Sequence, residues 1–506
     1  MHKVRMVDIT SFFVDLFVLF ACAVIAGEVA VQLGQVAMVG QLLGGVVLGP
    51  TILGFTSLTT STPLAAQLTS VQLLATIFIL FMSGLEVVPE QLYRAGLPTL
   101  TMGLAIFFGP FLVTSLVAAV FEPRLPFSTD LYIGLTLSIT ALPVMGIMLS
   151  EFGLLRSKMG QLLIGAALIN EFAAVTMFAI LQQVASSGGI GYLAVAKALL
   201  AVALFISLML TIHMLLRLLR EARLWKPMTV AFTKTWKSKQ GGFAVLMIMV
   251  VGSTLFSQFL GLTYVVGAFY AGLLVTRESA GEEAHRSINS VFNTMTWGFF
   301  VPLFFVFVGV EMNLRLLFTP VMLAIFGALL AVAIVSKTSI GAFVASKGGY
   351  GDTDALAIGF LLGSRGAVEL AMATILFESN LISQTLFTIV AGVGLVTTIV
   401  APIGAMASWL SNPKTKEELF RRVPSLRPRA PSFRHLRPPE EWSTSMSNSY
   451  LLHEWLENPQ LKGRAGRPSD VRPDSGKGES GPTDSSGDLG GTVRPPLPSR
   501  RRPPSG

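Results

Sequence analysis

Residues 10 to 408 form a succession of apolar runs, separated by short polar breaks, each about as long as the ~20 residues a helix needs to cross a bilayer. Only 13% of the chain is charged and the mean hydropathy is +0.66, values of a polytopic membrane protein. The expected fold is therefore all-α, with about thirteen transmembrane helices. They are placed near 10–33, 39–57, 69–88, 97–120, 129–152, 161–186, 192–219, 242–258, 261–276, 294–312, 321–345, 355–377 and 384–408. Lys3 and Arg5 precede the first run and Ala21-Cys22-Ala23 interrupts it, but the run continues to about Leu33, which favours a spanning helix over a cleaved signal.

The distribution of basic residues orients these helices. Arg94, Arg156, Lys158, Arg217, Arg220, Lys226, Lys234, Arg277 and Lys347 fall in one set of alternate loops, and the opposite set holds few. The first set is expected to be cytoplasmic in a cell membrane, with the N-terminus outside and the C-terminus inside. Trp225 and Trp236 lie among lysines in the connection 220–241, which either rests on the inner surface or is simply solvated. Beyond residue 410 the composition turns to Pro, Arg, Ser and Gly, with few aliphatics. Residues 411–506 thus read as a disordered basic cytoplasmic tail, which suits anionic lipid better than nucleic acid. Cys22 is the only cysteine, so neither a disulfide framework nor a thiolate metal cluster is expected.

The two halves of the apolar region resemble each other at a spacing of about 227 residues. Val39-Gly40 with Gly45 matches Val266-Gly267 with Gly272. Ser83-Gly84-Leu85-Glu86 parallels Val308-Gly309-Val310-Glu311, and Leu149-Ser150-Glu151 matches Leu376-Phe377-Glu378. The offset is an odd number of spans, so paired helices run in opposite directions. Inverted repeats of this kind belong to secondary transporters. The repeats are placed at about 10–186 and 242–408, with 192–219 as a linker helix.

Interrupted helices are expected at matching places in the two halves. Ser138 to Pro143 interrupts one: Pro143 lacks a backbone donor and disfavours α geometry at Leu142. Gly363-Ser364-Arg365-Gly366 interrupts the other, its glycines permitting non-helical backbone. Asn170-Glu171 stands in the middle of a third apolar run and Lys337 in the middle of a fourth. At ~1.5 Å per residue, Pro143, Glu171, Lys337 and Arg365 all lie about 15 Å from the inner surface, near the midplane. An ionisable group at that depth is a functional candidate, with a structural ion pair as the alternative. A carboxyl there holds a proton or an alkali cation and seldom both. Glu369 is either a second proton site or the partner of Arg365 across the half-helix dipoles. Glu86, Glu151, Glu311 and Glu378 fall at helix ends and read as solvated.

Several stretches resemble the monovalent cation:proton antiporter-2 family, which includes Kef-type potassium/proton and several sodium/proton exchangers. They are Val39 to Pro50, Leu80 to Glu86, Gly267 to Leu274, Phe304 to Gly309, Ser364 to Leu370, and Thr397-Thr398 with Pro402. The likeness covers about residues 12–410, in order. It implies a scaffold or dimerisation domain, a homodimer, and a mobile core with two crossing broken helices. It places the ion-binding acid on Glu171, the preceding family position on Asn170, the breaks at Thr140 to Pro143 and Ser364 to Gly366, and the buried lysine on Lys337. Electrogenic members carry a second Asp where Asn170 stands, which implies electroneutral 1:1 exchange of Na+ or K+ for H+. Two departures stand out: Glu171 is one methylene longer than the family's usual Asp, and the tail lacks the strand-helix pattern and glycine fingerprint of a dinucleotide-binding regulatory domain.

No cofactor is implied, and no zinc motif, P-loop or nucleophile-base pair marks an enzyme. A sodium-coupled symporter of organic anions, or a non-transporting sensor on the same scaffold, are the alternative functions.

Overall fold

A computed structural model describes residues 9–55, 63–86, 96–121, 126–186, 192–221, 241–275, 290–413 and Thr415. Residues 222–240 of the connection, with Trp225 and Trp236, and the basic tail from residue 416 on lie outside these residues. Contacts divide the chain after Leu452, and every described residue belongs to the first unit.

All regular structure among the described residues is helical: α1 (Ile9–Gln32), α2 (Ala37–Leu48), α3 (Pro63–Glu86), α4 (Leu97–Phe121), α5 (Phe127–Thr136), α6 (Leu142–Glu151), α7 (Lys158–Ser186), α8 (Tyr192–Glu221), α9 (Gly241–Phe259), α10 (Tyr264–Leu274), α11 (Val301–Glu311), α12 (Pro320–Lys347), α13 (Asp352–Leu362), α14 (Ala367–Glu378) and α15 (Gln384–Leu410). A π-helical turn, Thr296–Phe300, leads into α11. Nine helical stretches among the described residues are long and apolar enough to cross a bilayer, with α13 and α14 counted as one. Shorter apolar helices occupy Ala37–Leu48, Leu142–Glu151, Leu246–Phe259 and Tyr264–Leu274. The expected helix near 129–152 is thus two short rods, α5 and α6, and that near 355–377 is α13 and α14.

Helix α11 lies at the centre. Every residue from Val301 to Glu311 is buried, as in a helix that is apolar all round. It packs on α2 through small residues: a Cβ on Gly45 would come within 2.8 Å of Gly309 Cα. Helix α3 meets α10 in the same way, with Gly84 against the carbonyl of Phe269 and Gly272 against that of Phe81. Lipid tails are as apolar as leucine, so close backbone approach is what holds such pairs together. The outer helices keep apolar side chains exposed, as Phe13 and Phe17 on α1 and Leu112 and Leu116 on α4 illustrate. In water such surface would be a liability; facing hydrocarbon it has no cost.

Candidate functional site

Helix α5 ends at Thr136 and α6 starts at Leu142, with Ser138 to Ala141 unwound between them. Pro143 occupies the first turn of α6, where its missing N–H has no helical partner to lose. The second break, between α13 and α14, leaves Ser364 to Gly366 outside either helix. Rods of 10 to 12 residues rise only ~15–18 Å, so their inner ends stop near mid-bilayer.

The two breaks touch. The Ala141 N–H donates to the carbonyl of Ser364 at 3.1 Å. The Thr140 hydroxyl donates to the carbonyl of Leu362 at 2.9 Å. Gly366 allows this approach, since a Cβ there would lie 2.6 Å from that of Ala141. Gly363 plays no such conformational part: it keeps right-handed helical geometry at φ −74°.

Asn170 and Glu171 lie at mid-length on α7, and both are fully buried. Asn170 clasps the first break. Its Oδ1 accepts from the Thr140 N–H at 2.8 Å and its Nδ2 donates to the Ser138 carbonyl at 3.0 Å. The amide therefore holds backbone. Glu171 Oε1 accepts a short hydrogen bond from the Ser83 hydroxyl of α3, while Oε2 is buried without a partner. Nothing in the sequence marks Ser83 as a site residue beyond its place in the Ser83-Gly84-Leu85-Glu86 motif.

Lys337, fully buried on α12, reaches the same break from another side. Its Nζ donates to the carbonyls of Ser138 and Ile139 at 2.6 and 2.7 Å. Lys337 thus anchors the unwound carbonyls, which need a donor at this depth, and the structural ion pair that was the alternative for Glu171 and Lys337 is not formed among the described residues. The ion pair in the site is Arg365 with Glu369, at 3.4 Å, both buried. Arg365 also donates to the Thr136 carbonyl at the end of α5, at 3.4 Å. Cations thus lie over the carbonyls that follow α5, and an acid occupies the first turn of α14; both placements complement the half-helix dipoles. The Ser364 hydroxyl is buried without a partner.

The helix-end glutamates divide. Glu86 is only partly exposed, its Oε2 buried without a partner, whereas Glu151 and Glu378 are exposed, as expected. Glu311 is not: it is 3% exposed, because α11 is enclosed along its whole length.

The sequence model described as "Sodium/hydrogen exchanger, transmembrane" matches residues 16–409. The chain belongs to the sodium/hydrogen exchanger family. Among curated relatives, the Na(+)/H(+) antiporter NhaS4 of Synechocystis sp. is 26% identical over 407 residues, which cover 76% of this chain and 94% of that protein. The Na(+)/H(+)-K(+) antiporter GerN of Bacillus cereus is 24% identical over 397 residues, covering 78% and 95%. The sodium proton antiporter MjNhaP1 of Methanocaldococcus jannaschii shares the exchanger fold, with a TM-score of 0.59 at 16% identity over 81% of this chain and 99% of that one. The exchanger domain thus spans the apolar region in which both breaks, Glu171 and Lys337 lie.

Proposed function

We propose that this chain is an antiporter that exchanges a monovalent cation, Na+ or K+, for protons across a membrane. Membership of the exchanger family and the antiport activities for which its relatives are named support that class. The observation that carries the site is Glu171: a fully buried carboxyl, adjacent to the residue that clasps the first break, with one oxygen unpartnered. An unpartnered carboxylate in hydrocarbon is costly, and either a proton or an alkali cation relieves it. Occupancy by one excludes the other, which is the condition for exchange.

Asn170, Thr140 and Lys337 hold the unwound backbone, and Asn170 ties it to the helix turn that carries Glu171, so the site keeps its shape whichever ion occupies it. Arg365 and Glu369 neutralise each other and contribute no net charge to the cycle. Only one carboxyl of the Asn170-Glu171 pair can carry charge, so the exchange is one cation for one proton. The core that carries the breaks moves against the remaining helices to expose Glu171 alternately to the two sides. The inverted-repeat reading fits the glycine contacts, since repeat-equivalent Gly45 and Gly272 pack on Gly309 and Gly84, each in the opposite half. In the membrane the N-terminus lies outside, the tail 411–506 inside, and the chain pairs as a homodimer.

The test is made in proteoliposomes with a preset pH gradient. Adding Na+ or K+ alone, with no organic solute, collapses the gradient with wild-type protein and leaves it intact with Glu171→Gln. Full exchange by that variant removes Glu171 from the mechanism. A need for an organic anion replaces antiport with symport. A voltage-sensitive current overturns the 1:1 ratio.

A further inference from the structure

At the C-terminus of α11, outside the two breaks, a second buried carboxyl has one oxygen without a partner. Gln72 of α3, fully buried, donates from Nε2 to Glu311 Oε1 at 3.2 Å. Gln384 donates to the Glu311 backbone carbonyl at 3.1 Å, so that donor is spent away from the carboxylate. Glu311 Oε2 and Gln72 Oε1 are both buried with no hydrogen-bond partner. Glu378, of the same sign as Glu311 and at the exposed end of α14, lies within electrostatic reach of it. Tyr264, opening α10, lies within reach of both.

We infer that Glu311 and Gln72 form a second monovalent-cation station. The unsatisfied atoms are a carboxylate oxygen and an amide oxygen, hard ligands that suit an alkali cation. One buried negative charge matches one positive charge. Glu378, exposed nearby, raises the local cation concentration at the entrance.

The station is joined to Glu171 by a single helix. Gln72, Thr76 and Ser83 are all buried and recur at the spacing that keeps them on one face of α3. Gln72 bonds Glu311 and Ser83 bonds Glu171, about 16 Å apart along the axis. One polar stripe therefore carries a buried carboxyl at each end. A cation held at Glu311 waits on one side of the barrier for its turn at Glu171. The role rests on the exchange reading above, but the site itself does not.

Two measurements decide it. Crystals of the full chain soaked in Tl+ are expected to show anomalous density beside Glu311 Oε2, in wild type and equally in Glu171→Ala. In proteoliposomes, Glu311→Gln and Gln72→Leu are expected to raise the cation KM about tenfold when cation is added from one side and not from the other, the size expected for loss of one charge-assisted ligand. No Tl+ at Glu311, or a KM unchanged from both sides, overturns the station; the Tl+ measurement needs no variant and so survives any misfolding of Glu311→Gln. Failure of the Glu171 reading looks different: Glu171→Ala would then keep exchange, whatever Tl+ does at Glu311.

Discussion

The backbone N–H of Ala141 donates to the carbonyl of Ser364, so each broken helix supplies a hydrogen-bond partner that the other lacks. The Thr140 hydroxyl adds a second bond between them, to Leu362. Two interruptions that would each be unstable in hydrocarbon become one crossing.

That crossing has no room for a methyl group at Gly366. Gly366→Ala drives a Cβ to 2.6 Å from the Ala141 Cβ and must push the breaks apart. Exchange is expected to fall at least tenfold, because a misplacement near 1 Å at a binding centre is enough for that. Gly146→Ala, on α6 where nothing lies within 4 Å of the new Cβ, serves as the control and is expected to exchange like wild type. Equal rates for the two variants would show that the breaks need not touch.

Lys337 is held by backbone. Lys337→Met strips the donor from the Ile139 carbonyl, at about 1–3 kcal/mol for an oxygen left dry, and leaves the Ser138 carbonyl with Asn170 Nδ2 alone. Its thermal unfolding in nanodiscs is expected to start below that of wild type. Glu171→Gln should melt no lower than wild type, since it removes an uncompensated buried charge. A Lys337→Met protein that melts with wild type would mean that water or another donor replaces the ammonium.

Asn170 spends both ends of its amide on the first break. Asn170→Asp keeps the acceptor for Thr140 but places a carboxylate against the Ser138 carbonyl. That adds a second titratable carboxyl to the cycle, and the expected result is slower exchange that now responds to membrane voltage. Patch or solid-supported-membrane recording checks it; slower exchange with no current would confine Asn170 to holding backbone.

Competition at one carboxyl has a kinetic signature. If a proton and a cation exclude each other at Glu171, the cation KM rises about tenfold per pH unit on the acid side while the saturated rate holds. Ser83→Ala removes the hydroxyl that donates to Glu171 and is expected to shift the whole curve, by about 1.5–3 kcal/mol of hydrogen bond to a charged group. A KM independent of pH would rule out a shared site.

Much of this arrangement was legible in the residues. Asn170-Glu171, Lys337 and the two breaks stood out because charge, proline and paired glycines are rare in runs of that length. Their common depth followed from helix rise alone. Side-chain direction did not follow. Nothing in the spacing of Lys337 says that it grips the carbonyls of Ser138 and Ile139 and leaves Glu171 to Ser83. Partner choice is set by which backbone groups an unwound segment strands, and that depends on how separate helices cross. Glu311 misled for a related reason: a helix end looks wet in sequence, whereas α11 is walled in by α2, α3 and α14.

The glycine contacts also govern how the chain is made. Gly45 on α2 fits against Gly309 of α11, and Gly84 on α3 against Gly272 of α10, yet the ribosome delivers the first member of each pair 264 and 188 residues before the second. The amino-terminal helices must therefore wait in the bilayer with their narrowest grooves unfilled. Maturation of this protein is a late interlocking event, and neither half is finished alone.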